Sequence, residues 1–340
     1  MVRTSSQHFW CLAHNTTGIN LEFARILLRN GANVLIGDLS LRPEAQKLVD
    51  EYTNKSDGPK VVFHKTDVSS WSDLHSLFKT AEEQFSTFDI VCPGVGIFEP
   101  AWSGFWSPPG SQKSKDTISS DGYKSLDVNL IHPIRASQLA ISHFLGSSSP
   151  ASKDNMKTIV HIASIAGTIG FAPVPLYCAS KWGLRGFIYS LGELEETRHI
   201  RVTGLAPAIV RTPIWLDAED KARMVHGADG KEQDDWVTPE EVAEVVSTKP
   251  TREELESLLT SDQMFKVCTE DEITTAKGEK LSLRGGSLIE VVHGDVKDVP
   301  VFGNQPPGTG TDQKGITMMN VEEAWKDMNA AIDQPEWGKV

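Results

Sequence analysis

Short apolar runs alternate with amphipathic segments from the start of the chain to about residue 215. "FWCLA" is followed by "LEFARILLRNG", and then by the β-branched run "NVLIGD", Asn33–Asp38. "PEAQKLVDEY" comes next, with Pro43 suited to a first helical turn. "KVVFHKTDV" reads as the third strand. In "SSWSDLHSLFKTAEEQF", residues Trp71, Leu74, Leu77, Phe78, Ala81 and Phe85 recur every three or four positions, which predicts one buried helix face. Ser69 or Ser70 can cap that helix. "FDIVCPGVG", "KTIVHIAS", "IRVTGLAP" and "GSLIEVV" (Gly286–Val292) complete the series, with long helical patterns on both sides of "KTIVHIAS". Such alternation predicts an α/β fold: a doubly wound parallel sheet of about seven strands with helices on both faces. Ligands in that architecture sit at the carboxyl ends of the strands, where the chain order switches.

The main unit is expected over residues 1–294. Three stretches within it depart from the alternation. Residues 100–121 are rich in Pro, Gly, Ser, Trp and Lys and read as an exposed excursion loop. Residues 213–245 are expected to form a substrate lid, and 247–270 an inserted charged helix. The chain becomes Gly- and Pro-rich after residue 294, so 295–340 is expected to be a peripheral C-terminal tail with one helix at "VEEAWKDMNAA".

Composition narrows the function classes. The 340 residues are 39% hydrophobic and carry a formal net charge of −13. That balance disfavours nucleic acid and anionic membrane surfaces, which attract clustered Lys and Arg. No apolar run reaches the roughly 18 residues of a membrane span, and the N-terminus lacks a secretory pattern. The four cysteines, Cys11, Cys92, Cys178 and Cys268, have no metal-clip spacing, and the ten histidines form no ligand pair. They read as free thiols in a reducing, cytoplasmic setting, with no metal expected.

Candidate chemistry sits in "LYCASKWG". Tyr177 and Lys181 are one helical turn apart and share a face. A free tyrosine titrates near pH ~10, and an adjacent ammonium favours its phenolate, bringing it toward neutral proton transfer. Ser164 lies thirteen residues earlier, at the end of "KTIVHIAS", and Asn129 lies in the preceding helical pattern "LDVNL". Together these four resemble the Asn–Ser–Tyr–Lys tetrad of the short-chain dehydrogenase/reductase family, and "IVHIASIAG" and "YCASKWGLRGF" are similar to that family's fifth strand and following helix.

The resemblance implies a Rossmann-type domain and an NAD(H)-linked interconversion of a secondary alcohol and a ketone. Under it, Tyr177 exchanges the proton, Ser164 hydrogen-bonds the substrate oxygen, Lys181 tunes the tyrosine and holds the nicotinamide ribose, and Asn129 supports a proton-relaying water. Gly18 and Ile19 belong to the phosphate loop. Asp38, at the end of the second strand, would accept the adenosine ribose hydroxyls and repel a 2′-phosphate, so NAD is expected over NADP. Asp67 and Val68 would meet the adenine edge, Gly94 and Gly96 the cofactor backbone approach, and Thr212 the nicotinamide carboxamide. The nearest group resembles 15-hydroxyprostaglandin dehydrogenase and its fungal relatives in small-molecule (secondary) metabolism. An apolar, fairly bulky small-molecule alcohol or ketone is expected, facing Phe98, Trp102, Phe171 and Trp215. The family pairs subunits through the helices bearing Asn129 and Tyr177, which implies a homodimer or homotetramer.

One motif departs. Against the family's Thr-Gly-x-x-x-Gly-Ile-Gly, this chain reads "AHNTTGIN": His14 and Asn20 replace the outer glycines, and Gly18 remains. Three readings follow: an active dehydrogenase with a variant loop, a binding or scaffold protein whose cofactor affinity is weakened by His14, or a mistranslated first segment and 247–270 insertion.

Overall fold

The computed structural model describes residues 10–14 (backbone only), 18–54, 57–216, 225, 236–243, 267–300, 321–334 and 337–338. The chain begins with β1 (Trp10–His14), α1 (Gly18–Arg29), β2 (Asn33–Asp38), α2 (Pro43–Thr53), β3 (Val61–Lys65), α3 (Trp71–Phe85) and β4 (Ile90–Cys92). A helical stretch follows in three parts: α4 (Lys124–Leu126), a π-helical turn (Asp127–Ile131) and α5 (His132–Gly146). Then come β5 (Lys157–Ile162), α6 (Pro175–Ser190), α7 (Leu194–Arg198), β6 (Ile200–Pro207), α8 (Pro213–Leu216) and α9 (Pro239–Ala243). Last are β7 (Glu272–Thr274), β8 (Lys280–Ser282), β9 (Leu288–Val292), β10 (Asp295–Asp298) and α10 (Val321–Ile332).

The sheet order is β10-β9-β6-β5-β4-β1-β2-β3. All neighbours are parallel except the β9–β10 pair. Among the described residues the sheet therefore has eight strands rather than about seven. The eighth, β10, follows a tight turn at Gly294, whose φ of 71° suits glycine. Its sequence "DVKD" is polar and short, as an exposed edge requires, and carries little apolar signal. The sheet thus runs past residue 294 into the segment expected to be tail. A second hairpin, β7–β8, lies outside the main sheet and has no counterpart in the apolar pattern.

Side chains of each strand alternate between two cores. Val34 and Ile36 of β2 join α1 residues Phe23, Ala24 and Leu27 in one cluster. Leu35 joins Leu74, Leu77 and Phe78 of α3 and Ala136 and Ala140 of α5 in the other. Five of the six positions predicted for the buried face of α3 are buried; Trp71 is 57% exposed. It opens the helix, before the face turns inward, and lies under the Arg135 guanidinium at 5.1 Å. Ser70 is the cap: its hydroxyl accepts from the Asp73 amide at 3.3 Å, a contact worth about 1 kcal/mol.

The excursion at 100–121 is not simply exposed. Ser103 is fully buried and its hydroxyl accepts from the Ser125 amide at 3.0 Å. Trp106 donates to the Ala172 carbonyl at 2.7 Å. Most of the 247–270 insertion, and residues 217–224, 226–235 and 244–245 of the expected lid, lie outside the described residues; Val267, at the insertion's end, is fully buried in the α1 core. Tail helix α10 is anchored by Arg198, which donates to Asp333 and to Asn329, each at 2.7 Å.

Candidate active site

Parallel pairing puts the ends of β1, β2, β4, β5 and β6 on one edge of the sheet. The order reverses between β1 and β4, so the crevice there is where this architecture receives ligands. The candidate residues gather along it.

Ser164 follows β5 and caps the 3₁₀ turn Ile165–Gly167, its hydroxyl accepting from the Ala166 amide at 3.2 Å. The same hydroxyl hydrogen-bonds Tyr177. Tyr177 lies in the first turn of α6, and Lys181 one turn on. The Lys181 ammonium donates to the Ile162 carbonyl at 2.7 Å and lies 5.7 Å from the centre of the Tyr177 ring. Burial pulls its value down to about 8. Burial also raises the Tyr177 phenol, and the Ser164 hydrogen bond offsets only part of that rise. The expectation that Lys181 brings the tyrosine down is not met in this state. Its ammonium is directed to a backbone carbonyl, and Ser164 is the group that favours the phenolate.

Asn129 sits on the π-helical turn, a local widening that often marks functional positions. Its side chain pairs with one backbone residue: Oδ1 accepts from the Ile97 amide at 2.9 Å, and Nδ2 donates to the Ile97 carbonyl at 2.8 Å. One lone pair and one N–H remain for a further partner. Gly96 lies beside it. A Cβ there would be 3.4 Å from Asn129 Oδ1 and 3.9 Å from Lys181 Nζ, so Gly96 keeps the space before both open.

The dinucleotide candidates divide. Asp38 ends β2, half-buried, with its carboxylate accepting from the Leu39 amide at 2.6 Å. Asp67 accepts from the Ser69 amide at 2.9 Å and hydroxyl at 2.5 Å, and pairs with Lys124 at 3.5 Å. Burial alone would raise its carboxyl, but the Ser69 hydrogen bonds and the Lys124 ammonium hold it below the usual range. Val68 is a core residue beside α3, and Ile19, half-buried, packs against the α1 core.

Gly18 opens α1 with φ 56°, a left-handed value that explains the glycine. Its free face is covered: a Cβ there would be 2.7 Å from the Thr212 methyl. Gly94 is covered too, by the Asn20 side chain, whose amide atoms would be 2.4–2.5 Å from a Cβ. Asn20 is buried and accepts from the Cys92 thiol at 3.4 Å. Asn20 and Gly94 thus compensate each other: the missing glycine on α1 is balanced by a glycine after β4. His14 pairs in register with Gly37 as the last residue of β1. Its backbone is extended, a conformation that needs no glycine. Residues Asn15–Thr17 of the loop lie outside the described residues.

Of the aromatic residues expected to face substrate, two come together at Tyr177. Phe98 lies 5.0 Å from its ring and 4.5 Å from Trp215, centre to centre. Phe171 is 43% exposed, and Trp102 sits under Lys115 instead. Glu99, which no sequence motif singles out, also belongs to this edge: its carboxylate accepts from the Tyr177 amide at 2.9 Å. No local pattern marks it, because its partner is 78 positions away. Cys92 and Cys178 are buried thiols and Cys268 is half-buried. Among the described residues no cluster of three His, Cys, Asp or Glu side chains could hold a metal, and no helix is long and apolar enough to cross a membrane.

Ser164, Tyr177 and Lys181 thus lie together at the carboxyl edge of the sheet, beside the space that Gly96 leaves open. Residues 13–223 match the family described as short chain dehydrogenase, and the chain belongs to it. Trans-4-hydroxycyclohexanecarboxylate dehydrogenase of Sinomonas cyclohexanicum is 28% identical over 202 residues, covering 58% of this chain and 70% of that protein. Bovine (Bos taurus) 15-hydroxyprostaglandin dehydrogenase (NAD(+)) is 25% identical, covering 61% and 70%. The fold is shared with a short-chain type dehydrogenase/reductase from Mycobacterium marinum, at a TM-score of 0.54 and 19% identity, over 69% of this chain and 85% of that one.

Proposed function

We propose that this chain is an NAD(H)-dependent oxidoreductase that interconverts a secondary alcohol and a ketone on an apolar small molecule. The observation that carries the reading is the continuous arrangement of Ser164 on Tyr177, Lys181 beneath the Tyr177 ring, and Asn129 at Gly96. The relatives named above support it, both being dehydrogenases of hydroxylated carbon compounds. The ring wall of Phe98 and Trp215 favours an apolar substrate.

The residues present fit a nicotinamide dinucleotide. Asp38 offers a carboxylate for ribose hydroxyls, and exposed Leu39 offers no cation for a 2′-phosphate, which favours NAD over NADP. Gly96 leaves room beside the Lys181 ammonium. Thr212 must shift off Gly18 for a diphosphate to approach the start of α1. When bound, the cofactor supplies hydride exchange with the substrate carbon. The chain's own part is proton control. Tyr177, held protonated by burial, donates its proton to a carbonyl oxygen in the reductive direction; in the oxidative direction it first gives that proton up to solvent, and the phenolate then takes the alcohol's proton. Ser164 fixes that oxygen. Lys181 holds a positive charge beneath, and Asn129 ties the segment after β4, at Ile97, to the π-helical turn.

The second reading, a binding or scaffold protein with weakened cofactor affinity, is favoured by Thr212 covering Gly18. A titration of NADH fluorescence separates the two. Saturable binding together with turnover that is lost in Tyr177→Phe supports the enzyme. No fluorescence change at millimolar NADH would falsify it.

A further inference from the structure

The first turn of α6 carries Tyr177, yet its own capping position is apolar. Val174 precedes Pro175 and offers no side-chain hydrogen bond to the free amides that follow. Helices leave such amides unsatisfied, and Ser, Thr, Asp or Asn at the cap is the usual local remedy. Here the remedy comes from elsewhere. Glu99, 9% exposed, lies after β4 and sends Oε2 to the Tyr177 amide at 2.9 Å. Its other oxygen, Oε1, accepts from the Phe105 amide of the 100–121 excursion at 2.8 Å. A carboxylate at a helix N-terminus also meets the positive end of the helix dipole.

The surroundings are shaped for this carboxylate. A Cβ on Gly104 would lie 3.3 Å from Glu99 Cγ and 3.0 Å from the Pro100 carbonyl, so the excursion passes close only because that residue is glycine. The preceding residue, Phe98, holds the Tyr177 ring at 5.0 Å. Phe98 and Glu99 thus grip Tyr177 by its ring and by its backbone. Trp106, on the far side of the excursion, ties the same loop to Ala172 just ahead of α6 at 2.7 Å.

We propose that Glu99 is a positioning residue for the dehydrogenase reaction: it sets Tyr177 by its backbone amide and makes that setting depend on the docked excursion. Glu99 acts through Tyr177 and does not touch the reacting atoms. The proposal rests on the proton-transfer role of Tyr177 stated above. Its consequence is that loop and tyrosine move together. A substrate that seats the excursion at Phe105 also tightens the tyrosine, and one that displaces it loosens the tyrosine.

The test uses the full chain with Glu99→Gln and Glu99→Ala. Glutamine keeps one accepting oxygen and replaces the other with a donor that cannot serve an amide N–H; alanine removes both. Hydrogen exchange is read at the Tyr177 and Phe105 amides, alongside NADH binding stoichiometry, kcat and melting temperature. Faster exchange at both amides is expected, with NADH affinity within twofold of native. Turnover per bound NADH is expected to fall about tenfold in Glu99→Gln and further in Glu99→Ala. A purely structural role would instead lower melting temperature and binding stoichiometry together, leaving turnover per bound NADH unchanged, and that result overturns the proposal. So does unchanged protection of the Tyr177 amide in Glu99→Ala. If the native chain has no turnover, the oxidoreductase reading fails, and the exchange measurement still decides whether Glu99 holds Tyr177.

Discussion

Lys181 reaches beneath Tyr177 to a backbone carbonyl: its ammonium donates to Ile162 at 2.7 Å while lying 5.7 Å from the centre of the tyrosine ring. That carbonyl ends β5, two residues before Ser164, so one lysine joins the strand carrying the serine to the helix carrying the tyrosine. Burial holds Lys181 down at about 8. Above that pH the amine loses its charge in the cofactor-free protein. NADH affinity is therefore expected to be constant below about pH 7 and to decline as pH rises through 8, measured by fluorescence titration across pH. Lys181→Met should remove this alkaline decline and weaken binding at every pH.

Tyr177→Phe removes the Tyr177 phenol while leaving the ring against Phe98. Loss of a positioned proton donor typically costs 10²–10⁴-fold in rate. Turnover is expected to fall by that order, with NADH affinity and melting temperature near native. Parallel activity assays, fluorescence titration and thermal melts check this.

Acid stability should report two histidines that the site does not use. Burial lowers His132 to about 4 and His161 to about 3, with the neighbouring His132 contributing to the second shift. Both are therefore neutral in the folded chain, whereas in the unfolded chain each titrates near 6.5. Above about pH 6.5 neither state takes up a proton there, and the stabilisation is complete. As pH falls from about 6.5 toward 4, the unfolded state binds protons that the fold refuses, and stability drops by a few kcal/mol. Melting temperature is expected to fall steeply over that window. His161→Gln should flatten the slope, although it also alters the contact with Ser137 at 3.3 Å. An unchanged slope would show that these histidines do not govern acid unfolding.

Cofactor choice is expected to turn on Asp38 and Leu39. Leu39 is 59% exposed, so an arginine there meets no core. The pair Asp38→Ala with Leu39→Arg removes the carboxylate and supplies a cation for a 2′-phosphate. The preference for NADH over NADPH should shift by roughly ten- to a hundredfold, or about 1.4–2.7 kcal/mol, measured as the ratio of dissociation constants.

His14→Gly addresses the variant loop. The residue sits in register with Gly37 as the end of β1, so its backbone gains nothing from glycine. Any effect must come from removing the imidazole. A rise in NADH affinity with unchanged melting temperature would place the side chain in the cofactor's path. Unchanged affinity would move attention to Thr212 on Gly18.

Much of this architecture was legible in the residues themselves. Apolar periodicity located the principal strands and helices, because burial on one face repeats locally along the chain. The order Asn129, Ser164, Tyr177, Lys181 pointed to the candidate site through its resemblance to the family's tetrad, and the helical spacing of Tyr177 and Lys181 placed those two on one face. What lay between distant segments was not legible. The bond from Glu99 to Tyr177, the fit of Asn20 into Gly94, and Thr212 over Gly18 join residues far apart in the chain, and none leaves a periodic trace. The same holds for β10, whose polar edge needs no apolar pattern, and for the direction of the Lys181 ammonium. Local pattern determined which groups the protein carries and on which elements. Only tertiary packing decided which of them are buried, which carbonyl or amide each one meets, and therefore which proton each one keeps.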